Sequence, residues 1–232
     1  MNKQNLLEKL KKDNVPEKIL EAFAKVRRED FVPSNIPQAM IYEDIALSIG
    51  YNQTISQPFT IAVMLNLLDL KKGQKVLEVG SGCGYVLALI SEMTKSEVYG
   101  IEVVKELAEK SRENLKNYDV EIYNKNGAEG LKEEDLYATS IEVQKRSRPS
   151  VFEERAREKS RGSLVFERIL ISASCKEVPK TLLNQLTDNG VLVAPVENSD
   201  DECSLVKIFK ENNQFIEKER IPHFSFVKFV EK

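Results

Sequence analysis

The 232-residue sequence predicts an α/β fold, with a mostly parallel sheet, antiparallel C-terminal strands and helices at the N-terminal end. Three observations predict it. The run Val76-Leu-Glu-Val79 is short, aliphatic and β-branched, as in a strand buried on both faces, and it leads through Gly80, Gly82 and Gly84 into the helical pattern Val86-Leu-Ala-Leu-Ile90. A second strand, 97–102, ends in an acid, Glu102, and passes into a helical pattern over 104–117. Near the C-terminus, residues 204–210, 214–220 and 225–230 alternate or nearly alternate about the turn Glu211-Asn-Asn213, as antiparallel strands do.

The composition narrows the class of function. Hydrophobic residues make up 41% and charged ones 31%, which fits an ordinary soluble domain with a sizeable core. Lys and Arg number 34 against 37 Asp and Glu, a net charge of −3, which argues against nucleic acid as the main partner. There is no apolar run of membrane-spanning length and no signal-peptide core after Met1, so a cytoplasmic protein is expected. Cys83, Cys175, Cys203 and the single histidine have no metal-ligand spacing, so no metal is expected, and Cys83 and Cys175 read as small packing residues. His223, between Pro222 and Phe224 in a predicted edge strand, reads as a surface or packing residue, so any catalysis has to proceed without a histidine base.

In chain order, apolar residues at helical spacing over 6–10 and 19–26 predict two short helices, with Pro16 at the start of the second. Residues 1–40 thus form a helical cap on a single domain spanning 1–232. Ser56 is placed to cap a helix with Pro58 in its first turn and Ile61, Met64, Leu65 and Leu68 on its apolar face. Later elements are a strand at 120–123, a strand at 168–173, a helix from Lys180 and a strand at 190–195.

The glycine loop is the chemical centre of the sequence. A strand that breaks into glycines before a helix lets backbone approach a ligand at the helix N-terminus. Gly80, Gly82 and Gly84 give G-x-G-x-G and not the dinucleotide G-x-G-x-x-G, and Glu78 precedes them inside the strand. By itself the spacing leaves open a nicotinamide site or a plain tight turn. With Glu78, however, the loop resembles that of class I methyltransferases, which bind S-adenosyl-L-methionine. The neighbouring residues sharpen the likeness. Tyr42-Glu-Asp44, Leu47-x-Ile-Gly50 and Gln53-Thr-Ile-Ser-Gln-Pro58, then the glycine loop, Arg168-Ile-Leu-Ile-Ser-Ala-Ser174, Glu177-Val-Pro179, Leu183-x-Gln-Leu186 and Gly190-x-Leu-Val-x-Pro-Val196, resemble the protein-L-isoaspartate O-methyltransferase family in that order.

That resemblance implies a Rossmann-like methyltransferase fold and methyl transfer from S-adenosyl-L-methionine to the carboxylate of L-isoaspartyl residues in damaged peptides and proteins, leaving S-adenosyl-L-homocysteine. It implies a monomer that binds neither nucleic acid nor membrane. Cofactor binding is expected of Glu78, Gly80, Gly82, Gly84, Glu102, Asn126 and Gly127, with Glu102 on the ribose hydroxyls. Ser56 is expected to hold the incoming carboxylate as the catalytic residue, and Thr54, Ile55, Gln57 and Ser172 to bind substrate. Tyr85 reads equally as a residue along the cofactor or as a core aromatic.

Four features depart from the family pattern. Asn126 stands where an acid is usual, Glu197 replaces a glycine, and Phe226-Val-Lys-Phe229 replaces Phe-Val-Pro-Leu. Residues 134–165 read as a mobile insertion; seven Lys/Arg against four Asp/Glu over 141–161 give it a local charge of 7 − 4 = +3. Ser150-x-x-Glu153 within it resembles a capping box. Two rival readings stand beside methylation of isoaspartyl residues: a small-molecule O-methyltransferase on the same fold, and a non-catalytic module that binds S-adenosyl-L-methionine.

Overall fold

A computed structural model describes residues 1–136, 164–198 and 202–229. The predicted helix at Ser150 and the mobility expected of 134–165 fall largely outside the described residues.

The chain begins with α1 (Lys3–Lys12) and α2 (Glu17–Lys25), which bury Leu6, Leu10, Ile19, Leu20 and Phe23, the apolar spacing read from the sequence. A short α3 (Gln38–Ile41) follows. Next comes an antiparallel hairpin that the sequence reading missed, β1 (Leu47–Gly50) and β2 (Gln53–Ile55). Its turn residues Tyr51 and Asn52 both have positive φ, 53° and 56°, as tight hairpins require.

Then α4 (Pro58–Leu68) carries Pro58 at its start and buries Ile61, Met64, Leu65 and Leu68 as predicted. Ser56 does not cap it. The N-cap is Gln57, whose side chain makes no cap bond, and the Phe59 amide donates instead to Asp44 Oδ1 at 2.8 Å. Ser56 lies one residue too early, because a capping side chain must reach back from the N-cap itself to the second or third helical amide. At the other end Arg168 Nε donates to the Leu68 carbonyl at 2.7 Å, closing the helix C-terminus with a cation.

The central sheet is made from β3 (Val76–Val79), β4 (Val98–Glu102), β5 (Val120–Asn124), β6 (Phe166–Ile171), β7 (Leu186–Glu197), β8 (Cys203–Glu211) and β9 (Gln214–Phe224). Their order is β5-β4-β3-β6-β7-β8-β9, parallel from β5 to β7 and antiparallel from β7 to β9. Two helices connect the first three strands, α5 (Tyr85–Thr94) and α6 (Lys105–Asn114), and α7 (Lys180–Asn184) precedes β7. Alternation along β3 sends Val76 to the core shared with α1, α2, α4 and α5, and Leu77 and Val79 to a second core with Tyr99, Phe166 and Leu182. Both faces are therefore covered, which explains the continuous apolar runs.

One predicted strand is absent. Described residues 225–229 form no strand: β9 ends at Phe224, one residue after His223 takes φ 70°. The chain then crosses to the end of β6, where the Ser174 amide donates to the Val227 carbonyl and the Phe229 amide to the Ser174 carbonyl, both at 2.8 Å. His223 itself is exposed, on the edge strand, beside Glu202.

Candidate functional site

Strand order reverses at β3: the chain moves outward to β4 and β5, then returns to place β6 on the other side. In parallel α/β sheets a crevice opens at the C-terminal ends of strands flanking such a reversal. Here it holds an open cleft of about 540 Å³ including its mouth. Gln53 and Thr54 of the hairpin line it, as do Val79, Gly80 and Gly82 after β3 and Ile101, Glu102 and Val103 after β4. Gly127, Ser172, Ala173, Val227, Lys228 and Phe229 complete the wall.

The glycine loop is built for close approach. Gly80, Gly82 and Gly84 have φ of 83°, 52° and 87°, a region that side chains resist. A Cβ at Gly82 would lie 3.1 Å from Ile49 Cδ1 of the hairpin, so the hairpin rests directly on the loop. Gly84 has a different role: a Cβ there would meet Ser111 Oγ at 2.5 Å and Leu115 Cδ1 at 2.7 Å, so its bareness lets the start of α5 pass close to α6, away from the cleft.

Two carboxylates support the loop from beneath. Glu102, 5% exposed, accepts from the Gly82 amide at 2.7 Å through one oxygen and from the Val104 amide at 2.9 Å through the other. It thereby fixes the loop while still lining the cleft. Glu78 is 1% exposed and lies behind the lining; Ser172 Oγ donates to its Oε1 at 2.6 Å, while Oε2 has no partner. Burial pushes the Glu78 carboxyl up to about 8, with the nearby Glu102 adding to the shift and the Ser172 hydroxyl opposing it. Ser172 joins this buried acid to the cleft because β6 ends at Ile171, two residues before the predicted end.

Of the residues anticipated from sequence, Thr54, Gly80, Gly82, Glu102, Gly127 and Ser172 meet in the cleft. Ile55 is buried in the hairpin core, and Ser56 and Gln57 are half-buried at its foot, leading into α4. Asn126 caps a 3-10 turn, its side chain accepting from the Ala128 amide at 3.0 Å, and so presents Gly127 to the wall. A side chain at Gly127 would strike Val79 Cγ1 at 2.3 Å and Phe229 Cζ at 3.1 Å, so this glycine is required for the wall to close. Tyr85 is a core aromatic: it is 2% exposed and edge-on to Phe23 and Phe31. Cys83 and Cys175 are buried and outside the lining, and burial pushes the Cys83 thiol up to about 11, as suits a packing residue.

Sequence reasoning missed Val227 and Phe229 as wall residues, and Arg28 as the buried cation near Ser56. The C-terminal pair enters through a single bridge between Ser174 and Lys228, a non-local contact that no local pattern signals. Among the described residues no cluster of His, Cys, Asp and Glu is arranged to hold a metal, and no helix is long and apolar enough to cross a membrane.

Comparison with known proteins agrees with this geometry. The family model for protein-L-isoaspartate(D-aspartate) O-methyltransferase matches residues 1–147 and 160–232. A protein-L-isoaspartate O-methyltransferase of Dictyoglomus turgidum is 36% identical over 92% of this chain and 84% of its own length. One of Methanothrix thermoacetophila is 34% identical over 100% of this chain and 96% of its own. A Plasmodium falciparum crystal structure named for the same enzyme, in complex with S-adenosyl-L-homocysteine, superposes with a TM-score of 0.75 at 26% identity and covers 100% of both chains.

Proposed function

The chain belongs to the protein-L-isoaspartate(D-aspartate) O-methyltransferase family, and from that membership we propose that it methylates the carboxylate of L-isoaspartyl residues in peptides and proteins, using S-adenosyl-L-methionine. The observation that carries the reading is the meeting of Gly80, Gly82, Glu102 and Ser172 in one cleft at the strand reversal. The residues fit the cofactor. Bare backbone at Gly80 and Gly82 admits it closely, and Glu102 keeps free lone pairs on both oxygens for ribose hydroxyls. Glu78, with one buried oxygen unpartnered, supplies a further hydrogen-bonding group beneath the loop. Gly127, in the cleft wall, and Asn126, which caps its turn, are assigned to the base.

When bound, the cofactor supplies a methyl group made electrophilic by its sulfonium. The protein's own contribution is positioning. An isoaspartyl carboxylate, with a pKa near ~4, is already ionised at neutral pH, so no side chain has to remove a proton. One carboxylate oxygen forms the bond to the methyl carbon as the carbon–sulfur bond breaks, leaving a methyl ester and S-adenosyl-L-homocysteine. Thr54 and Ser172 lie in the wall where that carboxylate enters, and Ser56 is assigned the hydroxyl that holds it, with Ile55 and Gln57 shaping the approach. Holding the reactants in line and away from water supplies on the order of 7–11 kcal/mol of the barrier reduction in well-oriented systems. The ester then closes to a succinimide, whose hydrolysis returns part of the chain to normal aspartate.

In this reading the enzyme acts as a monomer in the cytoplasm, and residues 1–232 form one domain, capped by 1–40, with 134–165 as an insertion. A radiolabel assay with an isoaspartyl peptide and its aspartyl twin tests the function, and incorporation is expected on the isoaspartyl peptide alone. Label on small carboxylates but on neither peptide would overturn the reading, as would tight cofactor binding without any turnover.

A further inference from the structure

Arg28 is 0% exposed, and its guanidinium nitrogens form no ion pair with a carboxylate among the described residues. Its Nη2 donates to two carbonyls, Ile45 at 3.3 Å and Ser56 at 3.1 Å. Those carbonyls are the two feet of the hairpin, one just before β1 and one just after β2. The guanidinium also lies over the Tyr85 ring, 5.3 Å from its centroid, and Tyr85 opens α5 directly after the glycine loop. One side chain thus ties both feet of the hairpin to the helix that the loop leads into. Its Nε and Nη1 remain without hydrogen-bond partners.

Stability alone does not explain this arrangement. Burying a guanidinium without a counter-charge is costly, and a packed apolar side chain of similar volume is commonly the more stable alternative. Two carbonyls and a ring face offset only part of that cost. What the guanidinium provides that an apolar side chain cannot is a directional tie between two backbone points. The hairpin it ties is the cleft wall that carries Gln53 and Thr54, and Ile49 of the same hairpin rests on Gly82.

We propose that Arg28 is a positioning residue for the reaction: it fixes the hairpin so that Gln53 and Thr54 stay in the cleft wall and Ile49 stays against the glycine loop. The role in turnover rests on the methyl-transfer reading of the cleft, whereas the clamp itself is tested without it. The variants are Arg28→Met, which removes both carbonyl bonds at similar length, and Arg28→Lys, which keeps the charge and reaches one carbonyl. Amide exchange read by mass spectrometry should rise about tenfold over 47–55 in Arg28→Met, while 76–79 and 98–102 stay unchanged. In the same preparation KM for an isoaspartyl peptide should rise about tenfold, with S-adenosyl-L-methionine affinity within about twofold of wild type and Arg28→Lys intermediate in both. Exchange that rises equally in hairpin and sheet would overturn the proposal, because Arg28 would then be a general core residue. A loosened hairpin with an unchanged peptide KM would also overturn it. If Arg28→Met does not fold, Arg28→Lys is judged by the same two criteria. A wild-type protein without transferase activity would overturn the methyl-transfer reading, and the exchange pattern would still decide for or against the clamp.

Discussion

Glu78 and Glu102 lie on adjacent parallel strands, but their partners differ. Glu102 is bound by two backbone amides; Glu78 has one hydroxyl and is otherwise enclosed. The Glu78 carboxyl, raised from 4.5 to about 8, keeps its proton in the folded protein at pH values where the unfolded chain has released it. The folded state therefore binds more protons across that window, and stability falls as pH rises through it. Glu78→Gln mimics the protonated acid and should remove this fall, which urea denaturation from about pH 5 to about pH 9 would measure; an unchanged slope would show that Glu78 is not its source. Glu102→Gln keeps the shape but surrenders one acceptor. Calorimetry should show S-adenosyl-L-methionine bound more weakly by about 1–3 kcal/mol, and unchanged affinity would remove Glu102 from the cofactor site.

Among the elements, the start of α4 shows how local pattern and tertiary contact divide the work. Pro58 and the apolar spacing of Ile61, Met64, Leu65 and Leu68 made the helix legible in the sequence, but its cap comes from Asp44, well upstream and also held by Lys9. Asp44→Ala should lower stability by about 0.5–2 kcal/mol, whereas Ser56→Ala should leave the melting temperature nearly unchanged and lower only the methylation rate. A melting loss in Ser56→Ala equal to that in Asp44→Ala would contradict the assigned geometry. The hairpin was hidden for a related reason. Tyr51 and Asn52 take positive φ without a glycine at either central position, so the usual turn signal is absent. Strand 76–79 lacked no such signal: four apolar-flanked residues before a glycine loop are recognisable from sequence alone, and β3 follows them residue for residue.

For the whole molecule, the mostly parallel sheet and its antiparallel C-terminal strands followed from the sequence because alternation and continuous apolar runs record which faces are buried. The path of residues 225–229 did not, because their alternation matches a strand while their hydrogen bonds go to Ser174. Part of the cleft was likewise legible through Thr54, the glycines, Glu102 and Ser172, and the rest depends on contacts between distant segments. The described flanks of the 134–165 region bear on its tolerance to change. The Gln185 side chain bonds the backbone of both Leu131 and Leu164, at the N-terminal end of β6 and away from the cleft at the strands' C-terminal ends. Replacing residues 137–163 with a short linker should therefore preserve melting and cofactor affinity, since loop-closure entropy changes slowly with length. Lost cofactor binding in that variant would place part of the replaced segment at the site.

The cleft's dispersed walls have a consequence for the protein's lifetime. Residues 53–54, 79–80, 82, 101–103, 127, 172–173 and 227–229 come together only in the fully assembled chain, so a ligand seated among them recognises the native state and no partly opened one. By mass action, a ligand present at a hundredfold excess over its Kd adds about 2.7 kcal/mol to stability. That is a large share of the roughly 5–15 kcal/mol that holds a typical domain folded. Methyl-donor supply thus acts on abundance as well as on rate: when the donor is scarce, more molecules open, and proteases that cut opened chains remove them.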